Sequence, residues 1–186
     1  ETVRSVDACF LRTRNVIIGS SAQALAAARE KAAAIGWRPE VVTAELQGDA
    51  RDAARLLARK AVAARDEMKQ GERRCLLAGG ETTVVVHGTG KGGRNQELAL
   101  AFALEIKDID GITLLSAGTD GTDGPTDAAG AVVDGSVVKR ARDLGLQPEL
   151  YLDNNDSYTF FQRLDADTGK DHHLKTGPTG TNVMDV

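Results

Sequence analysis

Apolar positions along the chain follow two spacings, and the switches between them divide it into elements. Val16 to Ile18 is a short β-branched run ended by Gly19. Leu25, Ala28, Ala32 and Ile35 then recur three and four apart, the stripe of an amphipathic helix. Ser20 or Ser21 can cap that helix and Gly36 stops it. Pro39 to Leu46 is a strand by composition. Asp49 caps a second helix, with Ala50, Ala54, Leu57, Ala61, Ala64 and Met68 on one face. Arg51, Arg55, Arg59 and Arg65 occupy other positions and are expected to face water. Gly71 closes this helix, and Cys75 to Ala78 reads as the next strand. Strand, helix, strand, helix, strand is the signature of an α/β layer with right-handed crossovers.

The most unusual stretch follows. Thr82 to Val86 is β-branched almost throughout and does not alternate, which predicts a strand buried on both faces. Gly79 and Gly80 would turn the preceding strand into it, as a hairpin or a bent pair, so the sheet is expected to be mixed. Gly88, Gly90, Gly92 and Gly93 come next, interspersed with Lys91 and followed by Arg94. Asn95 then opens a helix reaching towards Lys107 that is apolar for most of its girth and should be well buried.

Ile112 to Ser116 is a further strand. It leads into a long polar loop, Ala117 to Gly130, that is too rich in glycine and aspartate for a simple connection. After a short apolar run, Asp134 or Ser136 caps a helix carrying Val137, Val138, Ala141 and Leu144. Asp153 to Asp156 caps another, holding Tyr158, Phe160, Phe161 and Leu164. Lys175 to Thr181 is a third polar glycine segment. The expected fold class is α/β: a mixed β-sheet with flanking helices and glycine-rich polar loops at one edge of the sheet. Residues 1–14 read as a lead-in, where Val3, Val6 and Phe10 allow a short helix, and 15–186 as the domain.

Composition narrows the class of function. The 186 residues, 41% hydrophobic, suffice for one sizeable core or two small ones. A net charge of -4, no basic block and only 4% aromatics argue against a nucleic-acid partner. No apolar run approaches a membrane span and no signal-peptide pattern is visible. Cys9 and Cys75 are far apart and lack ligand spacing, as expected of thiols in a reducing, cytoplasmic compartment, with a disulfide as the other option. The chain has no initiator methionine, and Asn182 to Val186 begins another β-like run, so a fragment of a longer protein is expected.

Strand, glycine turn and helix together aim backbone N–H groups and a helix N-terminus at an anion. Gly88, Gly90 and Gly93 also match the dinucleotide fingerprint, G-x-G-x-x-G. Lys91 and Arg94 would meet a phosphate or carboxylate there as charged donors. The stretch is not a Walker A loop, because Lys91 lacks the required spacing and a following Ser or Thr. A purely structural glycine turn is the competing reading. Glu81, beside the expected buried strand, should pair with a cation such as Arg94 or face a site. Asp120, Asp123 and Asp127 lie after a strand, where an α/β sheet presents its ligands and where carboxylates near polyphosphate hold Mg²⁺; turn and helix capping is the alternative. Thr176, Thr179, Thr181 and Asn182 add hydroxyls and an amide around Gly177 and Gly180. Three such segments suggest one shared cleft. His87 is read as a hydrogen-bonded structural residue, and His172 and His173 as surface residues without zinc spacing.

Five segments carry a family likeness: GGETTV (Gly79 to Val84), GKGGRNQEL (Gly90 to Leu98), GTDGTDGPTDAAGA (Gly118 to Ala131), NDSYTFF (Asn155 to Phe161) and TGPTGTNVMD (Thr176 to Asp185). In these the sequence resembles the C-terminal half of the glycerate 2-kinase family, whose members are also labelled hydroxypyruvate reductases. The resemblance implies transfer of the γ-phosphoryl of ATP to the 2-hydroxyl of D-glycerate, giving 2-phosphoglycerate, with Mg²⁺ required. It implies two α/β domains facing across a cleft, of which this chain supplies the second. The N-terminal domain would be its partner in the same full-length protein, and the isolated piece would have little activity. It also implies a catalytic arginine, for which Arg94 is the candidate, and a first-domain lysine that no residue here matches; Lys91 is not that lysine. In this reading Arg94 and Lys91 are catalytic. Gly88, Gly90, Gly92, Gly93, Asn95, Glu81, Thr176, Thr179, Thr181 and Asn182 bind substrate or nucleotide, and Asp120, Asp123 and Asp127 hold the metal. Two other readings remain open: an NAD(P)-dependent hydroxypyruvate reductase, with His87 the only donor near the glycine turn, and a non-catalytic structural or oligomerisation domain.

Overall fold

In the computed structural model, which describes residues 13, 14 and 16–186, the first α/β unit follows the hydrophobic pattern. Helix α1 (Ser21–Ala34) begins at Ser20, whose hydroxyl accepts the N–H of Gln23, and buries Leu25 and Ala32. Strand β1 (Arg38–Leu46) leads to helix α2 (Ala50–Asp66), capped by the Asp49 carboxylate through the N–H groups of Arg51 and Asp52. Strand β2 (Arg74–Gly80) then pairs parallel with β1. The expected strand at Val16 to Ile18 does not form, and its side chains are exposed. The possible helix at Val3, Val6 and Phe10, and Cys9, lie outside the described residues.

Helix α3 (Arg94–Glu105) is the centre of the molecule. Every residue from Asn95 to Ala103 is buried. Ala50, Ala53, Ala54 and Ala58 line the α2 face that meets it, and these small side chains let the two helices approach closely. On its other sides lie strands β3 (Thr113–Ala117) and β4 (Gly130–Asp134), and helices α4 (Val137–Asp143), α5 (Pro148–Asp153) and α6 (Ser157–Thr168). Strand β4 pairs antiparallel with β3 and with the short β5 (His173–Leu174). Phe102, Phe160, Phe161, Leu100 and Leu164 fill the core between these layers.

The fold is α/β with parallel and antiparallel pairing, but the mixing arises elsewhere than expected. Met184 to Val186 lies between the two sheets: Asp185 bridges antiparallel to Gly80 on one side and to Gly118 on the other. Thr82 to Val86 is not a buried strand. Only Thr83 makes a bridge, parallel to Asp49, and Val85 and Val86 are 54% and 71% exposed. The segment leaves β2 at Gly80 (φ 153°) and spends its backbone on the end of β1. There Glu81 N–H donates to the Leu46 carbonyl and Thr83 N–H to the Gly48 carbonyl. No hairpin forms, because those groups are committed before an antiparallel return can begin.

This assignment of core and surface is open to a stability measurement. Phe161→Ala should cost about 3–5 kcal/mol in urea unfolding, the range for emptying a fully buried aromatic site. Val86→Ser should stay within about 0.5 kcal/mol of the parent. Comparable losses at both positions would mean that the 82–86 segment is buried after all.

Candidate functional site

The first turn of α3 reads Arg94, Asn95, Gln96, Glu97, and each side chain reaches a different segment. Arg94 forms a bidentate pair with Asp185, Nε to Oδ2 at 2.6 Å and Nη2 to Oδ1 at 2.9 Å. It also lies 3.3 Å from Glu81 Oε1. Asn95 accepts from the Ser116 hydroxyl on β3 at 2.7 Å. Gln96 Nε2 donates to Asp123 and to Thr126, and its Oε1 meets His173 Nε2 at 3.1 Å. Glu97 accepts from Asn155 Nδ2 and from Arg51 Nε, the latter at 2.7 Å. The Asp123 carboxylate caps the helix, receiving the N–H groups of Asn95 (3.0 Å) and Gln96 (2.9 Å). Burial pushes the Asp123 carboxyl above its ordinary range, and the hydrogen bonds from Asn95 and Gln96 pull it back.

The three polar glycine segments assemble around the 118–124 loop. A Cβ on Gly93 would overlap the Asp123 side chain, and one on Gly124 would overlap the Gly92 carbonyl. Gly121 has φ +88°, and a Cβ there would strike the Gly177 carbonyl. The third segment is tied on by Thr179, whose N–H donates to the Asp120 carbonyl and whose hydroxyl donates to the Thr119 carbonyl at 2.5 Å. Thr176, Thr181 and Asn182 are exposed. Within their own segment Thr176 donates to the Gly177 carbonyl, Thr181 N–H donates to the Thr179 hydroxyl, and Asn182 Oδ1 accepts from Met184 N–H.

The glycine turn itself needs a correction. From His87 to Lys91 its backbone amides are taken by the α5–α6 connection. His87 and Gly88 N–H donate to Asn155 Oδ1, Thr89 N–H to Asn154 Oδ1, Gly90 N–H to the Asn154 carbonyl and Lys91 N–H to Asp156 Oδ1. Gly88 and Gly90 carry no side chain because Asn154 and Asp156 occupy that space, and Gly92 faces Ser157 in the same way. The turn is therefore a close-packed seam with the α5–α6 connection, and it follows no strand. The dinucleotide reading fails on both counts. The groups that face outward here are side chains. Lys91 Nζ sits 4.3 Å from the centroid of the Tyr158 ring, and Lys175 Nζ sits 5.7 Å from it. His87 is exposed, and it is tied to the seam through its backbone N–H, which donates to Asn155 Oδ1.

The three aspartates do not form one set. Asp123 is committed to α3. Asp127 is exposed and bonded to Lys175 Nζ at 3.0 Å and Tyr158 Oη at 2.8 Å, contacts that hold its carboxyl below the ordinary range. Asp120 is half-buried and accepts the Thr122 N–H through Oδ1. Among the described residues no three His, Cys, Asp or Glu side chains converge as a metal set. Asp120 does have a neighbour: its Oδ1 and Asp185 Oδ1 lie 3.0 Å and 3.6 Å from where a Cβ on Gly118 would stand.

Sequence reasoning missed several participants. Arg51 does not face water: besides Glu97 it reaches the Leu152 carbonyl at 2.6 Å. His172 and His173 are buried, not on the surface. His172 Nδ1 lies 2.6 Å from Asp165 Oδ1, and His173 lies against Tyr158 in a tilted ring contact with centroids 4.7 Å apart. Asn155 adopts φ 53° and is buried, which the N-D-S-Y segment signals only as a polar cluster before a helix. Asp185 lay in plain view at the end of T-N-V-M-D, but nothing in its neighbours points to Arg94. Cys75 is a free thiol, pushed up by burial. Among the described residues no helix is long and apolar enough to cross a membrane.

Two measurements follow from these assignments. Asp123→Ala should cost about 2 kcal/mol or more in unfolding free energy, because it uncaps a buried helix, while Asp127→Ala should cost less than about 0.5 kcal/mol. Equal costs would count against the capping role. Burial holds the His173 imidazole below 6.5 in the folded state, with the Asp165 charge opposing it. The unfolded chain then binds a proton that the folded chain does not, so stability should rise as pH goes from about 5 to about 7 and level off above. In His173→Phe that slope should shrink; an unchanged slope would assign it to another group.

Comparison with known proteins places this arrangement. A sequence profile of the MOFRL family matches residues 74–185. The chain is 45% identical over 172 residues to a D-glycerate 2-kinase of Thermotoga maritima, covering 91% of this chain and 40% of that protein. It is 41% identical over 212 residues to a glycerate kinase of Danio rerio, covering 92% and 42% respectively. A crystal structure of the Thermotoga maritima glycerate kinase superposes with a TM-score of 0.81 at 43% identity, over 100% of this chain and 45% of that one. The chain thus spans about two fifths of the length of the curated relatives it matches. The profile match takes in all three glycine loops and the turn of α3 that they surround, and the chain belongs to the MOFRL family.

Proposed function

We propose that this chain forms one wall of the phosphoryl-transfer site of a glycerate kinase, acting with an N-terminal domain of the same full-length protein. The observation that carries the reading is Arg94. Its guanidinium is fixed by Asp185 and Glu81 beside the 118–124 loop, on which all three glycine segments meet, yet its side chain remains 30% exposed. Relatives sharing 36–45% identity with the chain are glycerate kinases or glycerate 2-kinases. In the proposed reaction the 2-hydroxyl oxygen of D-glycerate forms a bond to the γ-phosphorus of ATP. The bond from that phosphorus to the β,γ-bridging oxygen breaks, and ADP, 2-phosphoglycerate and the hydroxyl proton are released.

Phosphoryl transfer demands positioning and charge stabilisation more than covalent help. Arg94 supplies charge next to the transferring group. Its contacts to Asp185 and Glu81 run through Nε and Nη2, leaving Nη1 as the outward donor. Lys91 and Lys175, both over the Tyr158 ring, provide further positive charge for a phosphate or for the glycerate carboxylate. Asp120 with Asp185, whose carboxylates face the position above Gly118 together with the Thr122 carbonyl, would hold Mg²⁺, which takes one or two protein carboxylates and completes its shell with other oxygens, the substrate's among them. When bound, that ion would neutralise charge on the phosphates. Asp123 and Asp127 are left out of the metal set, the first as helix cap and the second as partner of Lys175.

Steady-state kinetics of the full-length protein test this. Arg94→Lys keeps the charge but loses the bidentate fit, and should lower kcat about 10²–10³-fold for ADP release dependent on D-glycerate, with the unfolding midpoint preserved. Asp120→Asn should raise the Mg²⁺ concentration needed for half-maximal rate. Parent-like turnover in the arginine variant would refute its role, and a parent-like metal titration in the aspartate variant would refute that assignment.

A further inference from the structure

The Tyr158 ring gathers one charged side chain from each of the three polar glycine segments. The ring is buried in the first turn of α6, with His173 packed against it. From the glycine turn, the Lys91 ammonium lies 4.3 Å from its centroid, and from the third segment the Lys175 ammonium lies 5.7 Å from it. From the aspartate loop comes Asp127. The Tyr158 hydroxyl donates to Asp127 Oδ1 at 2.8 Å, and Lys175 Nζ donates to Asp127 Oδ2 at 3.0 Å. One carboxylate is thus held at both oxygens, by a phenol and an ammonium, with a second ammonium on the same ring.

That carboxylate serves the fold little. Asp127 is exposed, caps no helix, and an exposed ion pair of this kind adds little stability. Lys91 forms no ion pair among the described residues. The neighbouring Asp156 accepts the Lys91 backbone N–H and the Thr159 hydroxyl, not the Lys91 ammonium. The ring therefore presents one cation in use and one to spare. A carboxylate suits this set better than a phosphate. Phosphates are commonly held by several backbone N–H groups, and those from His87 to Lys91 are already taken by the α5–α6 connection. A planar carboxylate needs only the donors that Asp127 shows in use.

We propose that Tyr158, Lys91 and Lys175 form the subsite for the carboxylate of the acceptor substrate, and that Asp127 is a resident occupant which the substrate displaces. The inference rests on the reading of this chain as a wall of a glycerate kinase site, and names the group of the acceptor that this part of the wall takes. Asp127 matches the carboxylate of a 2-hydroxy acid in charge and shape. Exchanging one for the other leaves the Tyr158 hydroxyl and Lys175 satisfied and brings Lys91 into use. Asp127 needs only to turn into the water that it already faces. Tyr158 is the positioning group: it fixes where both ammonium groups stand, and His173 fixes the ring.

Isothermal titration of the full-length protein, with and without a non-hydrolysable ATP analogue, tests this. D-glycerate and glycolate should bind the parent, and glycerol, which lacks the carboxylate, should bind at least about tenfold more weakly. Lys91→Met and Lys175→Met should each weaken D-glycerate binding at least about tenfold. Asp127→Asn removes the competing charge but keeps an acceptor, and should tighten binding about threefold. In steady-state kinetics the lysine variants should raise KM for D-glycerate by the same factor and move KM for ATP less than about twofold. A raised KM for ATP with that for D-glycerate unchanged would give the subsite to the nucleotide phosphates and overturn the proposal. Parent-like D-glycerate binding in both lysine variants, or a parent that binds neither acid, would overturn it as well. Weaker binding by Asp127→Asn would overturn the displacement and leave Asp127 as the group that positions Lys175. Lysine-dependent binding of both acids without D-glycerate-dependent ADP release from ATP would refute the kinase reading and leave the carboxylate subsite standing.

Discussion

The first turn of α3 sets the terms for everything around it. A buried helix N-terminus carries N–H groups with no partner inside the helix, and here it also carries three buried polar side chains, Asn95, Gln96 and Glu97. An unmet polar group at such depth costs about 1–3 kcal/mol, and an unpaired charge more. Asp123 answers the backbone, Ser116 and His173 answer the side chains, and Asn155 with Arg51 surrounds Glu97. Each partner comes from a different stretch of chain. Satisfying one helical turn therefore brings the strand, the aspartate loop, the α5–α6 connection and the β5 region to the same place.

That demand also accounts for the glycines. Asp123 can reach the backbone of α3 only if the chain at Gly93 carries no side chain, and the 118–124 loop can lie against the third segment only if Gly121 carries none. The glycine turn before α3 is held down in the same way by Asn154, Asn155 and Asp156, which take the amides that a phosphate loop would leave open. The sequence pattern of a nucleotide loop and the pattern of a tight seam between two polar connections are the same string of glycines. What separates them is where the N–H groups point, and that depends on residues more than sixty positions away.

This is also the boundary of what the sequence discloses. Helical stripes and caps were legible because they are local: Ser20, Asp49, and the alanine face of α2 stand where spacing put them. The convergence of three glycine segments was legible too, as a surplus of polar glycine that a packed core would not keep idle. Thr82 to Val86 misled, because β-branched composition says that a segment is extended, not that another strand is there to bury it. Arg51 misled because it flanks an apolar stripe, where helix periodicity assigns it to solvent while a carboxylate from α3 waits beside it. His172 and His173, in a polar stretch, were buried by Asp165 and by the aromatic face of α6, contacts that no spacing rule contains.

The electrostatics around Arg94 bear on the proposed function in a way that goes beyond resemblance. One guanidinium is paired with two carboxylates, Asp185 and Glu81, and Asp120 faces the space above Gly118 that Asp185 also faces, so with these three carboxylates the junction by itself is net negative. A polyphosphate approaching such a place meets repulsion that a single arginine does not cancel. Under the proposed function that excess has a use. Two of the carboxylates orient Arg94, and the position that Asp120, Asp185 and the Thr122 carbonyl face above Gly118 suits a divalent cation, whose charge would offset that excess as it arrives with the phosphates. Lys91 and Lys175 sit on a separate ring, Tyr158, away from these three groups, Lys175 being paired with Asp127. The wall would thus divide its labour, metal and arginine toward the transferring phosphoryl and lysines toward the remaining anionic groups, with the buried first turn of α3 keeping the two halves at fixed separation.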